Sequence, residues 1–257
     1  MIHTTASVSE VFMLDDIQGI TFDLWQTLII DNRELGRSRA QRRIEETINS
    51  LNAVGYDFSY EHVQEAYRSC YRVCREAHKA EKDYSFDHQV AIFINSIGEN
   101  LFDELYNTTI EEINYWYGEA FFEFPPALDP ESENILKSLT GKGYKIGLIS
   151  NTGMTPGSLF RRYLKNHNIL DFFQVLTFSD EVLLCKPSTE IFHMTLKGLS
   201  CSTHASIHVG DHILNDVYGA NKAGLKTVLL GDAEGQEKIK EPDFHINKLS
   251  DLDKLLL

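Results

Sequence analysis

Hydrophobic and polar residues change their rhythm twice along the chain. The first strand-like run with a defined end is GITFDL at residues 19–24, β-branched and aromatic, leading to Asp23. From about Asn32 to Phe124 the apolar positions recur at helical spacing among many charges. The segments RSRAQRRIEETINSLNAV, YEHVQEAYRSCYRVCREAHKAEK, DHQVAIFINSIGENLFDEL and TIEEINYWYGEAFF predict an all-helical block of about four helices. Ser59 and Asp87 are the expected caps of the second and third, and Thr109 with Glu112 resembles a capping box.

Pro125-Pro126 ends that block, and beyond it helix and strand patterns alternate. Helix PESENILKSLTGKG precedes strand YKIGLISN, helix SLFRRYLKNHN, strand FFQVLTFS and helix TEIFHMTLKGL. Strand ASIHVGD, helix ILNDVYGANKAG, strand KTVLLG and a terminal FHINKLSDLDKLL complete the pattern. Such alternation predicts a parallel sheet covered on both faces. Ligands of such sheets sit outside the carboxyl ends of the strands. The residues at those ends are Asp23, Ser150 with Asn151, and Gly210 with Asp211. The helical block follows the first strand directly, where it can close over the same edge.

Charge narrows the partners. With 38 acids against 24 lysines and arginines the formal charge is −14, which repels a phosphate backbone, so no nucleic-acid partner is expected. A small anionic metabolite stays compatible where a local cation or metal offsets that charge. No uninterrupted apolar run reaches the ~18 residues of a membrane span, so no membrane partner is expected. The opening MIHTTASVSEVFMLDD has no basic stretch followed by an apolar one, so we expect no secretion signal and a cytoplasmic location. Residues 1–18 read as an N-terminal extension. Cys70, Cys74, Cys185 and Cys201 show no paired CxxC pattern and read as reduced thiols. Cys70, Cys74 and His78 share one stripe of a predicted helix, where buried packing is the expectation for the thiols. Arg37, Arg39, Arg42 and Arg43 read first as a solvated helix face and second as an anion-steering rim. YWYGEAFFEF at 115–124 reads as packing inside the block or at its hinge. The pattern sets no oligomeric state.

Four short stretches, FDLWQTL, LISNT, CKPSTEIF and VGDHILND, stand in that order. Together they resemble the four motifs of the haloacid dehalogenase (HAD) superfamily of hydrolases, most of them phosphatases. The resemblance runs from Gly19 to the C-terminus, and the helical insertion matches the family's small helical (C1-type) cap. It implies a doubly wound, Rossmann-like α/β core over 19–32 and 125–257 and a helical cap over 33–124. It implies that Asp23 is the nucleophile, because a carboxylate at a strand tip can attack phosphorus and split a hard hydrolysis into two easier steps through an aspartyl-phosphate. The implied cofactor is Mg²⁺, whose preference for hard oxygen donors suits Asp23 and Asp211 as direct ligands. Asp216 is then a further ligand or a support behind one, and the backbone carbonyl of Trp25 completes the set. By the same resemblance Ser150 hydrogen-bonds the transferring phosphoryl group, while Lys186 neutralises phosphate and keeps Asp23 ionised. Thr27 and Asn151 are further expected contacts of the phosphate pocket.

Trp25 departs from the family's phosphatases, which carry an Asp two residues after the nucleophile to protonate the leaving alcohol and then activate water. An indole N–H does neither, and such general acid–base help is worth about 10²- to 10⁴-fold. The family's metal-independent 2-haloacid dehalogenases carry a Tyr there, so carbon–halogen hydrolysis is the alternative. A low-turnover phosphate- or metabolite-binding protein is a third. Asp23, Asp211 and Asp216 crowded beside one lysine favour a cation site, and hence phosphoryl chemistry. The proton could come from a bound water, from the substrate, or from His78, Lys79, Lys82 or His88 of the helical block, or from His212 beside the last motif; a good leaving group needs none. The expected function is Mg²⁺-dependent hydrolysis of a small phosphorylated metabolite.

Overall fold

The computed structural model of the chain describes Leu14 and residues 16–256, so most of the N-terminal extension and the segment read for a secretion signal lie outside the described residues. Six strands form one parallel sheet: β1 (Gly19–Phe22), β4 (Lys145–Ser150), β5 (Val175–Phe178), β6 (Ser206–Gly210), β7 (Lys226–Leu230) and β8 (Phe244–Ile246). Their spatial order is β5-β4-β1-β6-β7-β8. The chain thus winds outward from β1 through β4 to β5, returns across β1, and winds out through β6 to β8. This reversal makes the carboxyl end of β1 the switch point of a doubly wound sheet, where such folds bind ligands.

Burial explains why these runs form strands. All four residues of β1 and all five of β6 are buried, as in strands covered on both faces. Successive β4 side chains serve opposite sides, with Ile146 and Leu148 packed in one core cluster and Ile149 in another. The first cluster also takes Leu136, Phe160 and Leu252, and the second takes Phe192, Leu196 and Ala220. Phe22, the last residue of β1, pairs with Leu148 on one side and Val209 on the other, so β4 runs two residues and β6 one residue beyond it.

The residues after β1 form helices α1 (Arg33–Ala53), α2 (Tyr60–Lys79), α3 (Phe86–Ile97), the single turn α4 (Leu101–Glu104) and α5 (Asn107–Glu123). They bury a core of their own around Ile44, Val63, Cys70, Phe93, Ile113 and Tyr117. Ser59 caps α2 as expected, accepting from the His62 N–H. The other two caps differ. Ser85 rather than Asp87 caps α3, which leaves Asp87 in the first turn, where its charge meets the helix dipole. α5 starts two residues before Thr109, which is buried, so no capping box forms.

Several contacts join this block to the sheet. Its two linkers pair antiparallel as β2 (Ile29–Ile30) and β3 (Ala127–Leu128). Between α2 and α3, Lys82 bridges to Leu184, the Asp83 N–H donates to the Leu183 carbonyl, and the Cys185 N–H donates to the Glu81 carbonyl. Buried Asp83 also accepts from Ser179 at 2.5 Å. Among the described residues no helix is long and apolar enough to cross a membrane.

Candidate active site

Asp23 extends β1 by one residue, its N–H donating to the Val209 carbonyl at 2.9 Å, and is 5% exposed. The chain then turns tightly, with the Leu24 carbonyl accepting from Leu28 and Ile29 at 3.0 Å. Gln26 adopts a left-handed φ of 54° within this turn. Lys186, 3% exposed, places its ammonium 2.5 Å from Asp23 Oδ1 and 2.6 Å from Asp216 Oδ1. One buried cation therefore joins two acids from opposite ends of the core sequence.

Asn151 positions that lysine. Its amide accepts from the Lys186 N–H at 2.8 Å and donates to the Lys186 carbonyl at 3.0 Å. Both functions of the amide are thus engaged by Lys186, although the residue also borders the cleft. Ser150 ends β4 fully buried, with only a long 3.4 Å bond to the Asn151 carbonyl. The Thr27 hydroxyl is buried and finds no partner among the described residues, which leaves its hydrogen-bonding capacity open.

Asp216 lies in a wide helical turn, Ile213–Tyr218, after β6. Its Oδ1 accepts from Lys186 and stands 3.1 Å from His208 Nε2, while Oδ2 accepts from the His212 N–H at 2.9 Å. Burial opposes its charge, but Lys186 and His208 prevail and hold the carboxyl below the usual range. Gly210 makes this approach possible, since a Cβ there would lie 2.3 Å from Asp216 Cγ. His208 was not legible as a site residue, because it alternates inside the apolar strand SIHVG. Its other ring nitrogen sits 2.8 Å from the Thr21 hydroxyl, and burial lowers its pKa.

Asp211 follows β6 and stands near both other acids. Burial first, then the charges of Asp23 and Asp216, push its pKa up to about 7. Burial likewise raises Asp23 to about 6, against the pull of Lys186. One carboxylate oxygen from each of Asp23, Asp211 and Asp216 lies within 4.8 Å of the others. Three acids facing one ammonium leave an uncompensated negative charge. That charge and an all-oxygen donor set fit a hard divalent cation such as Mg²⁺.

The Trp25 ring packs between the helical block and the core. It meets Phe121 of α5 and Phe160 of α6 (Gly157–Asn166) edge-on, with centroids 6.3 and 5.3 Å apart. A cleft of about 450 Å³ opens beside it, lined by Trp25, Asn151, Met154 and Thr155 and, from the block, by Arg39, Arg43 and Tyr71. The solvated-face reading of the arginine run is therefore corrected at two positions. Arg39 and Arg43 are buried, while Arg37 and Arg42 are less so. The spacing i, i+4 was the available signal, because it puts both on one face.

None of the candidate proton donors lines the cleft. His78 lies 3.1 Å from buried Asp83, Lys79 pairs with Glu76, and His88 stacks on Tyr84. His212 accepts from the Leu214 and Asn215 N–H groups through Nδ1, so that nitrogen carries no proton. Cys70 and Cys74 are buried in the helical core, as expected.

A doubly wound sheet with an acid–lysine cluster at its switch point and helices inserted behind the first strand defines a class of capped hydrolase-like folds. The profile of the haloacid dehalogenase-like hydrolase family matches residues 63–230, well over half of the chain, and the chain belongs to that family. The matched stretch begins after β1, so Asp23 lies outside it. A glyceraldehyde 3-phosphate phosphatase from Methanothermobacter thermautotrophicus is 30% identical over 132 residues, 49% of this chain and 56% of that protein. The chain spans about half the length of this and two other curated relatives it matches, with 56%, 40% and 50% covered. Two solved structures share the fold. A HAD phosphatase from Thermococcus onnurineus has a TM-score of 0.65 at 24% identity, with 93% of this chain and 98% of that chain covered. A 2-haloacid dehalogenase from Pseudomonas syringae pv. Tomato DC3000 reaches 0.69 at 21% identity with the same coverage.

Proposed function

We propose that the protein is a cytoplasmic phosphatase of small phosphorylated metabolites, with residues 33–124 as a cap over a core of 19–32 and 125–257. The clustering of Asp23, Asp211 and Asp216, two of them bonded to Lys186, carries this reading, because three carboxylates beside one ammonium suit a divalent cation, which halide displacement does not need. The phosphatase names of the relative and of one structural neighbour agree with it.

In this mechanism Lys186 binds Oδ1 of Asp23, which leaves Oδ2 as the attacking oxygen. The Asp23 oxygen forms a bond to phosphorus as the bond to the leaving alcohol oxygen breaks, giving an aspartyl-phosphate. Lys186, the Ser150 hydroxyl and the open Thr27 hydroxyl offer donors to the phosphoryl oxygens. Asp23, Asp211 and the Trp25 carbonyl would hold Mg²⁺, and Asp216, with both oxygens engaged from behind, steadies Lys186 and the following turn. Bound there, Mg²⁺ supplies charge neutralisation to nucleophile and phosphate alike. Water then cleaves the acyl phosphate. No side chain at position 25 delivers the leaving group's proton, so substrates with acidic leaving groups should turn over fastest.

A paired assay tests this. An aryl phosphate and a 2-chloro acid are each offered with Mg²⁺ and with chelator. Mg²⁺-dependent phosphate release is the expected result. Chelator-insensitive chloride release overturns it in favour of dehalogenation, the reading that the aromatic at position 25 supports. If neither product forms while phosphate still raises the melting temperature, the chain is a binding protein.

A further inference from the structure

Arg43 lies on α1 at the wall of the cleft, 4% exposed. Nε donates to the Tyr117 carbonyl at 2.7 Å, Nη1 to the Tyr67 hydroxyl at 3.1 Å and Nη2 to the Thr155 hydroxyl at 3.0 Å. Those bonds use three of the guanidinium's five N–H donors, and all three acceptors are neutral. The neighbouring arginines differ. Arg39 is paired with Asp31, and Arg42 with Glu46 and Glu123, whereas Arg43 forms no ion pair among the described residues. A buried cation without a counter-charge is costly unless something anionic arrives to meet it.

The surroundings indicate what arrives. Trp25, two residues from Asp23, and Asn151, which grips Lys186, border the cleft on the nucleophile's side. Arg43 and Thr155 border the same cleft from the cap and from the loop that meets it. A molecule with its phosphoryl group at Asp23 and its other end in this cleft would meet Arg43, and the carboxylate on the lining, Asp31, is already paired with Arg39. In a protein of net charge −14, holding the anionic tail of such a molecule calls for a cation at that end, apart from Lys186 and the Mg²⁺ proposed at the phosphoryl end.

We propose that Arg43, assisted by the Thr155 hydroxyl, receives a second anionic group of the substrate, a carboxylate or another phosphate, at the end remote from the phosphorus that Asp23 attacks. This rests on the phosphatase reading of the Asp23 cluster. It narrows the substrate to short phosphate esters with an anionic tail. A purely structural Arg43, tethering cap to core through Thr155, would be indifferent to that tail.

The test measures binding to the Asp23→Asn variant with Mg²⁺ present, by calorimetry. 3-Phosphoglycerate and glycerol 3-phosphate differ only in a carboxylate against a hydroxymethyl group, and propane-1,3-diol bisphosphate carries the second phosphate. At least one anionic-tailed ligand should bind roughly tenfold or more tightly than glycerol 3-phosphate. Which one does so distinguishes carboxylate from phosphate. Adding Arg43→Gln should close the gap, and Thr155→Val should narrow it. Equal affinities, no binding by any of the three, or a gap that persists in Arg43→Gln overturns the proposal. Should Arg43→Gln not fold, the comparison in Asp23→Asn and the Thr155→Val result decide. Phosphate release from an aryl phosphate by the unmodified protein is followed in parallel. A tail preference without release sinks the phosphatase reading and leaves the anion subsite standing.

Discussion

Gly210 and Trp25 show how single residues set what this site can do. The absence of a Cβ at position 210 lets Asp216 fold back against β6, where it accepts from Lys186, His208 and the His212 N–H. Gly210→Ala should push Asp216 away, free Lys186 from one of its two acids and lower kcat/KM for an aryl phosphate by about 100-fold or more. A variant with native rates would show that Asp216 has no part in steadying the lysine. Trp25 works in the opposite direction, as bulk. Trp25→Asp should raise turnover of alkyl phosphates, since a carboxyl can protonate a poor leaving group. It should also cost about 2 kcal/mol or more in urea unfolding, because the ring's contacts with Phe121 and Phe160 are lost. Unchanged turnover in the folded variant would mean that another group already delivers the proton.

At the scale of elements, the docking of the α2–α3 connection matters most. Asp83 is buried, accepts from Ser179 at 2.5 Å, and Ser179 in turn accepts from the Thr152 N–H at 2.9 Å. Asp83→Ala should therefore lower stability by about 2–4 kcal/mol and speed hydrogen exchange in residues 81–85. Native exchange there would show that the pairing of Lys82 with Leu184 alone holds the connection. This docking was invisible in the sequence, since EKDYS reads only as a polar turn. The strand ends carrying Asp23, Ser150 and Asp211 were legible because apolar runs stop abruptly at polar residues there. The helices of the insertion were legible from spacing, but two of their caps were not. Ser85 competed with Asp87 two positions later, and the first turn of α5 had no side-chain cap to announce it. Arg39 and Arg43 escaped for a related reason. A guanidinium on a helix looks solvated until the opposing surface is known, and here Arg39 meets the Phe124 carbonyl and Asp31, while Arg43 meets Thr155 in a loop more than a hundred residues away.

For the whole molecule, the buried acids fix how stability responds to pH when no metal is bound. Burial raises Asp23 and Asp180 to about 6 and Asp211 to about 7. Each binds its proton more tightly folded than unfolded, so rising pH removes stability between roughly pH 4 and 7. Asp216 acts oppositely, its contribution being lost only as pH falls below the unfolded value of 3.8, and His208 and His212, whose pKa burial lowers, oppose the fall only up to their unfolded value of 6.5. The melting temperature in chelator should therefore fall from about pH 5 to about pH 8, and Mg²⁺ should restore more of it at pH 8 than at pH 5. A flat profile in chelator would mean that these three acids are not strained by proximity and burial. The same molecule carries Lys82 paired with Leu184, two residues before the ammonium that holds Asp23. Any outward displacement of the helical block would therefore pull on the segment that aims Lys186. Under the proposed function, release of product and relaxation of the nucleophile would be a single gesture, with the site least armed when the cleft is open.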